Sequence, residues 1–262
     1  MPFLELDDVR LHWREDGDPD GTPIVFANSL GTDTRLWDDL LPHLPARARK
    51  IRFDLRGHGR SGCPPSPYSL DDLTGDVVAL LESLGIKGCT FVGTSLGGMI
   101  AQNIAVARPD LVDRLVLTNT APKMGDPAMW AARVDAVRRD GLASISEDIL
   151  ARWFGPVFLA DSRLNDWRKI LIETSAEGYV GCCQAIAAAD LTANLGNIQQ
   201  KTLVIGGADD RASPPDQIRD MASRITHSTC HILDDVGHLP SIEAPAILAY
   251  HIVEGIDEDR DV

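Results

Sequence analysis

The hexapeptide Gly93-Thr94-Ser95-Leu96-Gly97-Gly98 constrains the fold of this chain more than any other stretch. Before it, Cys89-Thr90-Phe91-Val92 is apolar and β-prone; after it, residues 99–107 read as a buried helix. A strand must therefore become a helix across one serine. Small residues at 93, 97 and 98 let the two elements approach closely and admit φ > 0. Such a turn lifts Ser95 above the end of the strand. It also aims the free N–H groups and the positive dipole end of the helix at whatever reacts there.

The segments on either side extend the pattern. Residues 9–14 alternate apolar and polar, which predicts a half-buried strand. Ile24-Val25-Phe26-Ala27 is a continuous apolar run, expected to be covered on both faces, and it ends in the loop Asn28-Ser29-Leu30-Gly31. Leu36–Leu41 is expected to start a helix that Pro42 and Pro45 break. Residues 50–55 form the next strand, followed by the loop 56–62. Ser69 caps a helix with Asp71 and Asp72 in its first turn and Leu70, Leu73, Val77, Leu80, Leu81 and Leu84 on its buried face. Gly85 ends that helix. A further strand spans 114–119.

Strand and helix in alternation predict an α/β chain with a mostly parallel sheet and helices on both faces. The alternation then stops. Residues 122–198 hold helical stretches near 126–140, 144–153, 162–176 and 178–190, and no convincing strand. They read as a helical cap inserted into a core of residues 1–121 and 199–262. Strands resume at 201–207 and 229–233, separated by a helix near 215–224, and a last helix carries Ile242, Ile247, Leu248, Tyr250 and Ile252.

Composition excludes several classes. The formal net charge of −14 disfavours nucleic acid and anionic membranes as partners. Part of it lies in the acidic stretch 257–261, expected to be solvated. No apolar run reaches the length of a membrane span, and the first residues resemble no secretory signal. Five cysteines, without CxxC spacing, weigh against a disulfide framework and against a zinc site, and for a reducing cytoplasm. Cys182-Cys183 reads as small-residue packing. Self-association into a homo-oligomer stays open.

In an open parallel sheet, function gathers at the carboxyl ends of the strands. Three loops there each offer one member of a nucleophilic triad: Ser95, then Asp209 or Asp210, then His238. A serine hydroxyl needs a base to take its proton, and imidazole titrates in the right range. The aspartate would fix the imidazole tautomer. Asp210, leading Asp-Arg-Ala-Ser-Pro, is preferred over Asp209. The backbone N–H groups of Leu96 and Leu30 are the candidate oxyanion donors. His12, His43, His227, His231 and His251 read as packed or hydrated, and His58 as structural.

With these residues in view, the chain resembles the α/β-hydrolase superfamily along essentially its whole length. Phe53-Asp54-Leu55-Arg56-Gly57-His58-Gly59-Arg60-Ser61-Gly62 carries the resemblance before the elbow. Within the superfamily it is most similar to the 3-oxoadipate enol-lactonases of the β-ketoadipate route for aromatic breakdown. Asn28-Ser29-Leu30-Gly31-Thr32, Leu73-Thr74-Gly75-Asp76-Val77, Trp130 with Arg133, Arg152-Trp153-Phe154 and residues 177–186 point there. Thr94 departs from the apolar or bulkier residue expected in the elbow. The resemblance implies hydrolysis of an anionic enol-lactone through a serine acyl-enzyme, with no metal or organic cofactor. In an acidic protein the substrate carboxylate then needs a local cation. Arg133 beside Trp130 is the first candidate, and Arg152 beside Trp153 the second. A different esterase, lactonase or perhydrolase could use the same triad, and a non-catalytic binding protein could keep the same fold.

Overall fold

Apolar runs with no polar alternation end up at the centre of an eight-stranded sheet in this computed structural model. It describes residues 2–257, with side chains of the last helix through Glu254. The acidic stretch 257–261 lies outside the described side chains. The strands are β1 (Phe3–Glu5), β2 (Arg10–Gly17), β3 (Pro23–Ala27), β4 (Arg49–Phe53), β5 (Thr90–Thr94), β6 (Arg114–Thr118), β7 (Lys201–Gly207) and β8 (Ser228–Leu233). Their spatial order is β1-β2-β4-β3-β5-β6-β7-β8. The pairs β1–β2 and β2–β4 are antiparallel and all others parallel. Every residue of β5 is buried, as a strand covered on both faces requires. Only β8, at the edge, exposes several consecutive residues.

Helix α1 (Leu70–Ser83) starts at the expected cap: the Ser69 side chain accepts from the Asp72 N–H, and the Asp72 carboxylate accepts from the Ser69 N–H. Helix α2 (Leu96–Ala107) follows β5 directly. Between β6 and β7 run α3 (Pro127–Asp140), α4 (Ser146–Trp153), α5 (Pro156–Leu159), α6 (Leu164–Glu173) and α7 (Ala176–Ala188), with no strand among them. Helix α8 (Pro215–Ser223) links β7 to β8, and α9 (Pro240–Glu243) and α10 (Pro245–Asp257) close the chain. Cys182 and Cys183 are fully buried in α7.

Two local expectations are corrected, and one strand is added. β1 is a strand that the sequence patterning does not suggest; it is three residues long and forms the edge beside β2. The helix expected from Leu36 is replaced by two 3₁₀ turns, Thr34–Trp37 and Leu41–His43. Asp33 caps the first by accepting from the Arg35 N–H, and Pro42 in the second has no N–H to propagate a helix. The last helix divides at Ala244, because the residue before a proline, here Pro245, is pushed out of the α region. Its Ile247 and Tyr250 are exposed, while Leu248 and Ile252 are buried.

Candidate active site

The turn between β5 and α2 holds Ser95 at φ 57°, ψ −116°, a conformation that bulky residues avoid. Its surroundings leave no choice. The Ser95 N–H donates to Thr118 O at 3.0 Å, and its carbonyl accepts from Met99 N–H at 3.1 Å and from Thr120 Oγ1 at 2.8 Å. The two glycines of the elbow permit the crossing. A Cβ on Gly93 would lie 2.3 Å from Gly97 O, and one on Gly97 would lie 2.0 Å from Ala27 O. Thr94 spans to the next strand through a 2.6 Å hydroxyl contact with Thr118.

The loops after β7 and β8 bring Asp210 against His238, with Oδ2 2.8 Å from Nδ1. Both side chains are almost completely buried. Asp210 is met by donors on both oxygens. Oδ1 accepts from the Ala212 and Ser213 N–H groups at 2.7 and 3.0 Å, and Oδ2 accepts from Asn119 Nδ2 at 2.9 Å as well as facing the imidazole. A carboxylate so surrounded acts only as an acceptor. His238 therefore carries its hydrogen on Nδ1, leaving Nε2 as a basic lone pair. Asp209 makes no such contact; it lies against the backbone at Gly155.

The loop after β3 is fixed as firmly. Asn28 donates from Nδ2 to Phe53 O at 2.7 Å, accepts from Trp37 Nε1 at 2.6 Å, and accepts on its carbonyl from Gly97 N–H at 3.1 Å. Ser29 O accepts from Thr32 N–H at 3.2 Å and Oγ1 at 2.8 Å. In a trans peptide the carbonyl and the following N–H point opposite ways. Thr32 therefore turns the Leu30 N–H away from itself and holds it there. The Gly31 N–H donates to His58 Nε2 at 3.0 Å, and His58 Nδ1 lies 3.1 Å from Arg56 O. That pattern requires a neutral imidazole with its hydrogen on Nδ1. Burial, the largest influence, lowers the His58 pKa and favours that form. The Leu96 N–H belongs to the first turn of α2, where a helix offers its own amides no acceptor.

A pocket of about 530 Å³, counting its open mouth, joins these parts. Ser95, His238 and Leu30 form its floor, and Trp130, Arg133, Arg152 and Trp153 are in its walls. Asp210 and Leu96 stand behind the floor. All nine residues singled out in the sequence are thus gathered at one place. Trp130 is anchored by its Nε1–H to Met124 O at 2.6 Å, and the Arg133 guanidinium lies 4.8 Å from its ring centroid. Arg133 also lies beside the buried Tyr179 hydroxyl. Arg152 has a lowered pKa, first from burial and then from the nearby Arg133 charge. Two guanidinium groups converge on one small cavity in an otherwise acidic protein, which suits an anionic ligand.

Residue-by-residue reading of the sequence misses several contributors. Asn119, at φ 48°, bridges Asp210 and the Gly237 carbonyl. Its only signal is an asparagine at a strand end, a residue type that tolerates positive φ. Ser29 and Tyr179 line the pocket. His58 reads as structural from the sequence, and its contact with Gly31 gives that role a location beside Leu30. Chemically, the arrangement brings a serine hydroxyl, an imidazole with a fixed tautomer and two guanidinium groups to one pocket.

Comparison with known proteins places this geometry. Residues 22–245 match the alpha/beta hydrolase fold family. The chain is similar to 3-oxoadipate enol-lactonase 2 of Acinetobacter baylyi, with 36% identity over 97% of this chain and 95% of the relative. It is 33% identical to 3-oxoadipate enol-lactonase 1 of the same organism over 87% of this chain and 86% of that one. Among solved structures, the enol-lactonase from Burkholderia xenovorans LB400 superposes with a TM-score of 0.94 at 34% identity, covering 98% of this chain and all of the other.

Proposed function

The chain belongs to the α/β-hydrolase-fold family, and from that premise we propose that it hydrolyses 3-oxoadipate enol-lactone through an acyl-enzyme on Ser95. One observation carries the reading: Asp210 lies 2.8 Å from His238 Nδ1, with Ser95 and a two-arginine wall in the same pocket as the imidazole. His238 Nε2 takes the Ser95 proton as Oγ attacks the lactone carbonyl. The Leu30 and Leu96 N–H groups hold the oxygen as it becomes an anion. Collapse breaks the ring C–O bond, and the enol oxygen leaves with the proton that His238 returns. A water then gives its proton to His238 and attacks the acyl carbon. Ser95 leaves with that proton, and the released enol tautomerises, its hydroxyl proton being lost to water as a carbon takes one up, to give the open-chain 3-oxoadipate. An enol leaves more readily than an alkoxide, so acylation asks less of the acid. Arg133 and Arg152 would bind the free carboxylate of the substrate, and Trp130 and Trp153 would bound its carbon skeleton. Residues 122–198 would then act as the cap that selects the substrate, and the remainder as the core that performs the chemistry.

The test is turnover of the enol-lactone, followed by ultraviolet absorbance, for the wild type and Ser95→Ala. Wild-type turnover with a kcat/KM well above that for p-nitrophenyl acetate, abolished in the variant, is the expected result. A preference for the neutral ester would remove the enol-lactone from the reading while leaving the triad.

A further inference from the structure

Glu243 is absent from the pocket wall, yet its carboxylate joins two segments that form it. Oε2 accepts from the Gly155 N–H at 2.9 Å, and Oε1 accepts from the Gly237 N–H at 3.0 Å. Gly155 lies two residues beyond Trp153, at the end of α4, the helix that also carries Arg152. Gly237 immediately precedes His238. Between these two hydrogen bonds lies a third, from the His238 N–H to Trp153 O at 2.6 Å. The two backbones touch directly: a Cβ on Gly237 would fall 2.6 Å from Trp153 O and 2.7 Å from Gly155 N. No water or side chain fits between them.

We infer that Glu243 is a positioning residue that clamps the His238 loop to the end of α4, so that the base and the arginine-bearing wall move as one unit. The inference rests on the reading of His238 as the base. The chemistry of the clamp supports it. A carboxylate presents acceptors on both oxygens at once, and two N–H groups converge on it. No neutral side chain of this length offers two equivalent acceptors. The group is kept despite its burial, which is the largest influence on its pKa and pushes it up to about 7; the Gly155, Gly237 and Leu239 amides and His238 pull the other way. Asp209 approaches the same glycine, Gly155, from the β7 loop. A carboxyl held there against desolvation points to a role for its placement, and the segment it holds bears the imidazole.

Glu243→Gln tests the clamp. The amide keeps the shape but turns an NH₂ toward one of the two backbone donors, so one arm is lost. The measurement is the rate at which a fluorophosphonate labels Ser95, alongside kcat and KM for p-nitrophenyl acetate and the melting temperature. A base displaced by a fraction of an ångström should slow labelling and kcat by about tenfold, with KM within about twofold, in a protein still folded at the assay temperature. Unchanged labelling and kcat would overturn the inference, whatever the melting temperature does. Should the glutamine variant not fold, Glu243→Asp replaces it: one methylene shorter, it keeps the charge and reaches one glycine amide but not both, with the same expected slowing. A wild type that the reagent does not label would instead count against the Ser95–His238 reading itself.

Discussion

Replacing Asp210 with asparagine separates a histidine that is merely near a serine from one that is prepared to deprotonate it. The outcome follows from the four donors around the carboxylate. The Ala212 and Ser213 amides both point at Oδ1, at 2.7 and 3.0 Å. The asparagine carbonyl must take that position, because an NH₂ there would face two N–H groups. Its NH₂ then occupies the Oδ2 site, 2.8 Å from His238 Nδ1 and 2.9 Å from Asn119 Nδ2. Opposite a donor, His238 Nδ1 must become the acceptor, and the ring hydrogen moves to Nε2. The nitrogen required as base is then blocked, although the fold and the pocket are unchanged. A wrong tautomer of this kind lowers kcat by about 10⁴ in a serine protease, and a loss of roughly 10³–10⁴ is expected here. In activation free energy that is about 4–5 kcal/mol. The opposed amides of Asn119 and the new asparagine should also cost about 1–3 kcal/mol of stability. Steady-state turnover of p-nitrophenyl acetate, with the melting temperature measured in parallel, gives both numbers. A variant that keeps more than a tenth of the wild-type kcat, or that loses activity only through KM, would refute the reasoning.

Other perturbations address different parts of the site. Arg133→Met and Arg152→Met should each raise KM for the anionic enol-lactone by about tenfold or more and leave KM for a neutral ester within about twofold, since removing a charged hydrogen-bond partner of the substrate costs about 1.5–3 kcal/mol; equal effects on both substrates would argue against carboxylate binding by these residues. His58→Ala leaves the Gly31 N–H without its acceptor and slackens the loop bearing Leu30, so kcat should fall by about 10- to 100-fold, less than the loss of an oxyanion donor outright, with little change in substrate KM. Glu243 also makes a pH-dependent contribution to stability. Its pKa rises from an ordinary 4.5 to about 7 on folding, so the native state holds this proton more tightly than the unfolded chain. Burying the ionised clamp costs more than its amide hydrogen bonds return, so the net contribution of this site to stability is most favourable below about pH 4.5 and is lost as the pH rises through about 7. Melting temperatures measured across that window should decline less with rising pH in Glu243→Gln than in the wild type.

Local patterning carries much of the architecture. Continuous apolar runs identify β3, β5, β6 and β7, because a strand buried on both faces has no water to receive polar side chains. The Ser69 cap and the leucine spacing locate α1, since both are set within one or two helical turns. The edge strand β1 is not legible in this way, because three residues become a strand only beside β2. The 3₁₀ turns near Trp37 and the break at Ala244 have local causes in Asp33, Pro42 and Pro245, which apolar spacing alone does not register. At the site, the elbow and the order Ser95, Asp210, His238 along the chain are readable because strand ends in a parallel sheet collect on one side. Two sets of donors hold Asp210 rather than Asp209 against the imidazole: the Ala212 and Ser213 amides of its own loop on Oδ1, and Asn119, 91 residues away, on Oδ2.

The sequence by itself determined which residue types stand at the strand ends, and hence the kinds of chemistry open to this chain. It could not determine how those residues are held. His58 reaches Gly31 from the loop after β4, Asn119 ties Asp210 to Gly237, and Glu243 joins the end of α4 to the His238 loop. Such contacts leave no periodicity in the chain, because a hydrogen bond is directional and short-ranged, and its partners become neighbours only after the sheet and the helices above it have packed. Tertiary structure alone decided those.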